Sequence, residues 1–316
     1  MAGFLRSSAA EPAPVPGCRP HQGAFQSSFL LPGRDAEEGS PSLPAQQPSS
    51  PSSPPPGRRG LAARTRRRLW NAVRRTGELG VLTRRAFVAM VSRPFEVDLW
   101  VRQMEQLGVQ SLGVAGVTTV FTGMVLALQT AYSLPALGVK YYIGSVVSKS
   151  LVRELGPVLT ALIVGGRIGS GMTAEIGAMK VTEQVEALRA MAADPVRELV
   201  VPKLVAALVM LPALTILGDA IGIAGGLLVA VVQLKVPAAT YNHNIITNLN
   251  LSDLASGIGK SFFFAYFIAI VGCHNGLRTT GGADGVGRAT TNTVVTAAIM
   301  ILVSDYFLTK LFILLL

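Results

Sequence analysis

The sequence predicts an all-α membrane protein of five transmembrane helices, preceded by basic interfacial helices and a disordered N-terminal tail. Three observations predict it. Half of the 316 residues are hydrophobic and only 15% are charged, against about 25% charge in an ordinary soluble domain. Long apolar stretches interrupted by few charges recur along the chain. Leu, Val, Ala and Gly dominate while Trp and Tyr are few, which suits helices packed closely in lipid better than a barrel with aromatic girdles. The net charge of +10 lies mostly before the first apolar segment, where it faces anionic headgroups rather than nucleic acid. Cys18 and Cys273 stand in unrelated contexts and support neither a disulfide framework nor a metal site.

Residues 1–57 hold 12 of the 19 prolines, with Ser, Ala and Gln between them. Such a segment buries too little apolar surface to offset its ordering entropy, so a disordered Pro/Ser-rich tail is expected. It lacks the apolar core of a secretory signal, and Glu11, Asp35, Glu37 and Glu38 make it a poor match to an acid-poor transit peptide. Residues 58–104 follow as basic amphipathic interfacial helices. Between Arg58 and Arg102, 12 arginines alternate with Leu69, Trp70, Val73, Leu82, Phe87, Val88, Met90 and Val91, the pattern of helices with one side in the acyl boundary.

The remainder, 105–316, reads as the membrane-embedded part of the chain. No charge lies between Glu105 and Lys140, which places the first span at about 108–131. The second, about 145–171, contains Arg153, Glu154 and Arg167. Spans four and five fall at about 257–277 and 292–314. The run from Lys203 to Lys235 is interrupted only by Asp219, and each half has 15 uncharged residues, short of the roughly 17 to 25 a span needs. One long third span, about 199–234, also puts Lys180, Arg189, Arg197, Arg278 and Arg288 on the side of the arginine-rich N-terminus, as the positive-inside rule requires. The expectation is therefore five spans, N-terminus inside and C-terminus outside.

After the second span a loop from Thr173 to Met191 precedes Asp194-Pro195. Val181, Val185 and Leu188 share one face of a short helix there, with Glu183, Gln184, Glu186 and Arg189 around the rest. Such a helix can dock into a groove on a soluble partner or rest on the membrane. Asp194 can cap the next helix and Pro195 can occupy its first turn.

Arg153 and Glu154 are costly inside a span and belong against a bundle interior or wet cavity. There they either meet a lipid headgroup or form a structural ion pair. Asp219 and Asp305 invite the same two readings, and Gln129 could line a polar cavity. Gly165 with Gly169, and Gly222 with Gly226, are spaced for close helix contact. Gly259-Lys260-Ser261 lacks the earlier glycine of a phosphate-binding loop, since Leu254 stands there. No nucleotide site is read in this chain. Gly281 to Gly287 reads as a flexible inner loop.

In order, Arg153-Glu-Leu-Gly-Pro157, Gly166-Arg-Ile-Gly169, Thr173-Ala-Glu-Ile-Gly177, Thr182-Glu-Gln184, Asp194-Pro195 and Gly285-Val-Gly-Arg-Ala-Thr-Thr291 closely resemble the MlaE-type permease family. The likeness runs from about Phe95 to Phe312 and leaves residues 1–57 outside. It implies a homodimeric permease paired with a cytoplasmic ABC ATPase that binds ATP and Mg, and with a substrate-binding protein carrying an MCE domain. It implies movement of phospholipid between membranes, with no cofactor, metal or catalytic residue in this chain and no nucleic-acid partner. By the same likeness, Glu183, Gln184, Glu186, Leu188 and Arg189 belong to an ATPase-coupling helix. Gln129, Arg153 and Glu154 lie near the lipid pocket, which two copies are expected to form between their first two spans. Gly165, Gly169, Glu175, Gly177, Asp194, Pro195 and Asp219 serve packing. A bacterial cytoplasmic membrane is the expected location, with the chloroplast inner envelope as the alternative. An ion-coupled transporter using Arg153, Glu154, Asp219 and Asp305, or a membrane scaffold, are the rival functions.

Overall fold

The computed structural model describes residues 70, 74, 77–90, 97–133 and 142–315. The expected tail at 1–57, most of the basic segment before residue 77, and Lys140 lie outside the described residues.

Among the described residues the chain is helical, with no strand. Helix α1 covers 77–90 and α2 covers Val97–Ser133. Helix α3 (Ile143–Ser150) continues through a π-helical turn, Leu151–Leu155, into α4 (Gly156–Val181). Helix α5 (Gln184–Ala190) precedes a second π-turn, Val196–Val200, which leads into α6 (Val201–Val232). Helices α7 (Ala238–Asn248), α8 (Leu251–Leu277) and α9 (Gly282–Leu315) complete the order. Five segments are long and apolar enough to cross a membrane: Asp98–Ser133, Ile143–Val181, Val196–Val232, Leu251–Leu277 and Gly282–Leu315. The third is one helix through Pro212, so the reading of a single long third span holds.

The segments outrun their apolar cores. Asp98–Ser133 has 36 residues, roughly 54 Å of helix against a hydrocarbon layer of about 30 Å. Hydrophobicity marks only the lipid-crossing part, while the backbone ladder continues beyond it. Three sequence readings are corrected here. Thr173 to Gly177 belong to α4 rather than to a loop. Val181 ends α4, and the short helix starts only at Gln184, because Glu183 sits in the left-handed region at φ 61° and breaks the axis. Gly282 to Thr291 form the first turns of α9 instead of a flexible loop. Helix α7 is not expected from hydropathy; its Tyr241 is buried and donates to the Ile223 carbonyl at 3.1 Å.

Helix α2 packs along α6, and the crossing is backbone to backbone. A Cβ on Gly123 would collide with the Gly222 carbonyl, and one on Gly225 would stand 2.6 Å from the Val120 oxygen. In lipid, where apolar surface alone gives no drive to associate, such contact supplies the dispersion energy that holds helices together. Helices α4, α8 and α9 are tied instead by a polar knot. The Thr173 hydroxyl meets the Gly272 carbonyl at 2.9 Å and the Thr293 hydroxyl at 2.8 Å, and Asn275 Nδ2 donates to Thr293 at 2.9 Å. Helix α1 buries Leu82 and Ala86 in the main core. Thr83 Oγ1 lies 2.6 Å from the Tyr266 hydroxyl on α8, and Glu78 pairs with Arg278.

Candidate functional site

A charged cluster in the half of the bundle near the α8 N-terminus grows out of Pro157. Proline has no N–H to give to the carbonyl four residues back and would crowd it in a regular helix. The π-turn Leu151–Leu155 immediately before Gly156-Pro157 widens the ladder there, and the Arg153 carbonyl is left without its helical donor. Lys260 of α8 takes that place, with Nζ 3.2 Å from the Arg153 oxygen.

Lys260 is 0% exposed, and its ammonium also lies 2.5 Å from Glu154 Oε2, 2.7 Å from Thr309 Oγ1 and 3.3 Å from Asp305 Oδ1. One buried cation thus joins α8 to the π-turn and to α9. Arg153 turns the other way, with Nη1 3.4 Å from Asp253 Oδ1. Asp253 is itself fixed in a capping box at the start of α8. The guanidinium keeps 39% of its side-chain surface open, and the ion pair leaves most of its five donors available.

Beside the cluster, Phe263, Phe267, Ile299, Met300, Val303 and Phe307 line an apolar groove of about 500 Å³ between α8 and α9. That volume lies within the range of small-molecule and cofactor sites. On α8 Phe263 stands three residues beyond Lys260, and on α9 Leu308 of the groove directly precedes Thr309 of the cluster.

Arg153 and Glu154 do not pair with each other; each reaches a different residue of α8. Gln129 is exposed on α2, and no hydrogen bond or ion pair among the described residues joins it to them. Asp219 is buried against Gly156, its Oδ1 without a hydrogen-bond partner. Gly165 and Gly169 face Ile268, Gly169 also meets Thr293, and Gly177 faces Thr279. Asp194 Oδ1 accepts the Val196 N–H at 3.0 Å, with Pro195 between them. Glu175 pairs with Lys203 at 2.5 Å.

Sequence reading set Lys260 aside with a failed nucleotide motif and missed it. The signal was present, since a lone lysine inside an apolar span demands a partner. Asp253 and Thr309 carried no comparable signal.

On α5, Val185 is fully buried, Leu188 half-buried, and Glu183, Gln184, Glu186 and Arg189 exposed. Glu186 pairs with Lys180 at the end of α4, and with Arg189 at 3.4 Å. The hydrogen bond from Lys180 holds the Glu186 carboxyl below the usual carboxylate range. The helix is thus pinned beneath α4 with a charged rim outward. Among the described residues no group of three or more His, Cys, Asp or Glu is placed to hold a metal ion.

Five apolar crossings, an internal charged cluster and a short helix at one end define a multi-pass membrane protein. The family model described as Permease MlaE matches residues 100–311, and the chain belongs to that family. A probable ABC transporter permease protein of Rickettsia bellii is 41% identical over 236 residues, 75% of this chain and 91% of the relative. The intermembrane phospholipid transport system permease protein MlaE of Haemophilus influenzae is 40% identical over 229 residues, 71% of this chain and 88% of that protein. A probable ABC transporter permease protein, ycf63, of Pyropia yezoensis is 38% identical over 208 residues, 66% and 79% of the two chains.

Proposed function

We propose that this chain is the permease subunit of an ABC-type phospholipid transporter, working as a homodimer in a bacterial cytoplasmic membrane. A separate ATPase, binding ATP and Mg, drives it through α5, and an MCE-domain protein carries lipid to or from it. The chloroplast inner envelope is the alternative location. The observation that carries the reading is the half-open Arg153 guanidinium held by Asp253 inside the second crossing, in a bundle that also carries an apolar groove between α8 and α9. A half-open cation within the bundle suits an anionic headgroup, and an apolar groove suits acyl tails.

Energetics favour a carrier of this kind. Each methylene moved into water costs about 0.8 kcal/mol, so releasing two long acyl chains costs on the order of 20 kcal/mol. A permease lowers that barrier by keeping the tails in apolar surroundings while its shape changes. The names of the Haemophilus and Rickettsia relatives support phospholipid as cargo and an ATPase as motor.

Affinity isolation of the full-length chain from native membranes, with mass spectrometry of proteins and lipids, tests this. Co-isolation of an ATPase, an MCE-domain protein and phospholipid is expected. ATP-independent ion-coupled transport by the chain alone would replace this reading, and a chain that retains no lipid would point to a scaffold.

A further inference from the structure

A second polar site lies toward the other end of the bundle. Gln103, Gln106 and Gln110 of α2, Arg167 and Glu175 of α4, and Lys203 of α6 line a cleft of about 370 Å³. Lys203, 2% exposed, is balanced by Glu175 at 2.5 Å and touches Gln103 Oε1 at 3.3 Å. Arg167 is not balanced. Its guanidinium donates to the Gln110 carbonyl and, at 3.2 Å, to Gln110 Oε1, and among the described residues no acid is within ion-pairing distance of it.

Depth along the helices places this cleft. Arg167 stands 24 residues from Ile143, the far end of its span, and Gln110 stands 23 residues from Ser133. At about 1.5 Å per residue both lie roughly 35 Å from those ends, toward the inner end of segments that run past a hydrocarbon layer of about 30 Å. Glu175, Gln103 and Lys203 lie further along, toward the same end. By the distribution of arginines this is the inner leaflet. An open guanidinium at that depth, flanked by neutral carboxamide donors and carrying the cleft to a net charge of +1, is built for a phosphate.

We propose that this cleft binds the phosphate of an inner-leaflet phospholipid between Arg167 and the α2 glutamines, at a site separate from Arg153. Glu175 and Lys203 close the inner wall, and the tails lie along the outer surface of α2 and α4. The site depends on the membrane reading of the spans and is independent of the ATPase.

Native mass spectrometry of the detergent-purified full-length chain, titrated with phosphatidylglycerol, tests it. Arg167→Gln is expected to weaken one lipid-binding event by about tenfold or more, while Arg167→Lys retains part of it. Gln110→Glu, which keeps Arg167 but sets a carboxylate against it, is expected to abolish the same event. Arg153→Gln serves as the reference for the other site, so loss of lipid there is read apart from loss here. Unchanged binding in both Arg167→Gln and Gln110→Glu overturns the proposal. Equal competition by millimolar inorganic phosphate also overturns it, by making the ligand a soluble anion. Retention of lipid against that phosphate supports the lipid assignment.

Discussion

Lys260 Nζ stands 3.2 Å from the Arg153 carbonyl oxygen, the acceptor that Pro157 cannot serve. A backbone defect in one helix and a buried cation in another thus solve each other's problem. Removing either leaves the other with an unmet polar group in a medium that offers no water.

Lys260→Met therefore strands Glu154, Asp305 and the Arg153 carbonyl together. The expected loss is about 3 kcal/mol, the lower end for a broken buried pair because Glu154 is partly exposed. Thermal unfolding of the purified chain in detergent checks it. Lys260→Met combined with Glu154→Gln should regain part of the loss, and a Lys260→Met protein as stable as the parent would show that the network holds nothing.

The crossing of α2 and α6 has no room for side chains at Gly222. Gly222→Val forces the helices apart and should cost about 1–3 kcal/mol, seen as a lower unfolding midpoint. Gly171, whose added Cβ would meet nothing within 4 Å, provides the control, and Gly171→Ala should leave the midpoint within about 0.5 kcal/mol of the parent.

The proposed role of α5 in coupling to the ATPase is tested on its exposed rim. The double substitution Glu183→Lys with Glu186→Lys reverses the exposed rim and is expected to abolish lipid-stimulated ATP hydrolysis in the assembled complex. Full retained activity would remove α5 from the coupling path. The exchange Lys180→Glu with Glu186→Lys restores the tie to α4 while still altering the rim, so it should rescue protease resistance of the 181–193 segment without rescuing hydrolysis.

That tie also has a pH direction. Glu186 titrates below its ordinary range because Lys180 holds the ionised form. The contact is complete above the ordinary glutamate range and is lost as pH falls through the lowered value. Limited proteolysis at 181–193 should accelerate on acidification in the parent and show no such pH step in Glu186→Gln.

Asp219 makes the opposite case to Lys260. Its Oδ1 is buried and, among the described residues, has no hydrogen-bond partner, so Asp219→Asn removes a desolvated carboxyl without breaking a hydrogen bond to that oxygen. Stability is expected to hold or rise by roughly 1 kcal/mol. A clear fall in the unfolding midpoint would mean that the carboxyl meets a partner in the working assembly.

Much of this architecture was legible in the residues. Long apolar stretches with few charges marked all five crossings, and the side preference of Arg278 and Arg288 decided that Asp219 lies within one helix and not at a turn. Spacing also picked out Gly222, whose neighbour Gly123 became visible only once α2 was laid on α6. Helix ends were less legible, because Thr173 to Gly177 and Gly282 to Thr291 are too polar to look membrane-bound yet simply extend the ladder. Pairing across a hundred residues was hidden altogether. Arg153 and Glu154 are adjacent and opposite in sign, and nothing local reveals that one answers Asp253 and the other Lys260.

The complete enclosure of Lys260 makes it a native gauge of movement. An amine-reactive reagent supplied to sealed vesicles cannot acylate it while α4, α8 and α9 stay closed around it. Its labelling rate, followed by peptide mapping across nucleotide states, should report how often and in which state that half of the bundle parts.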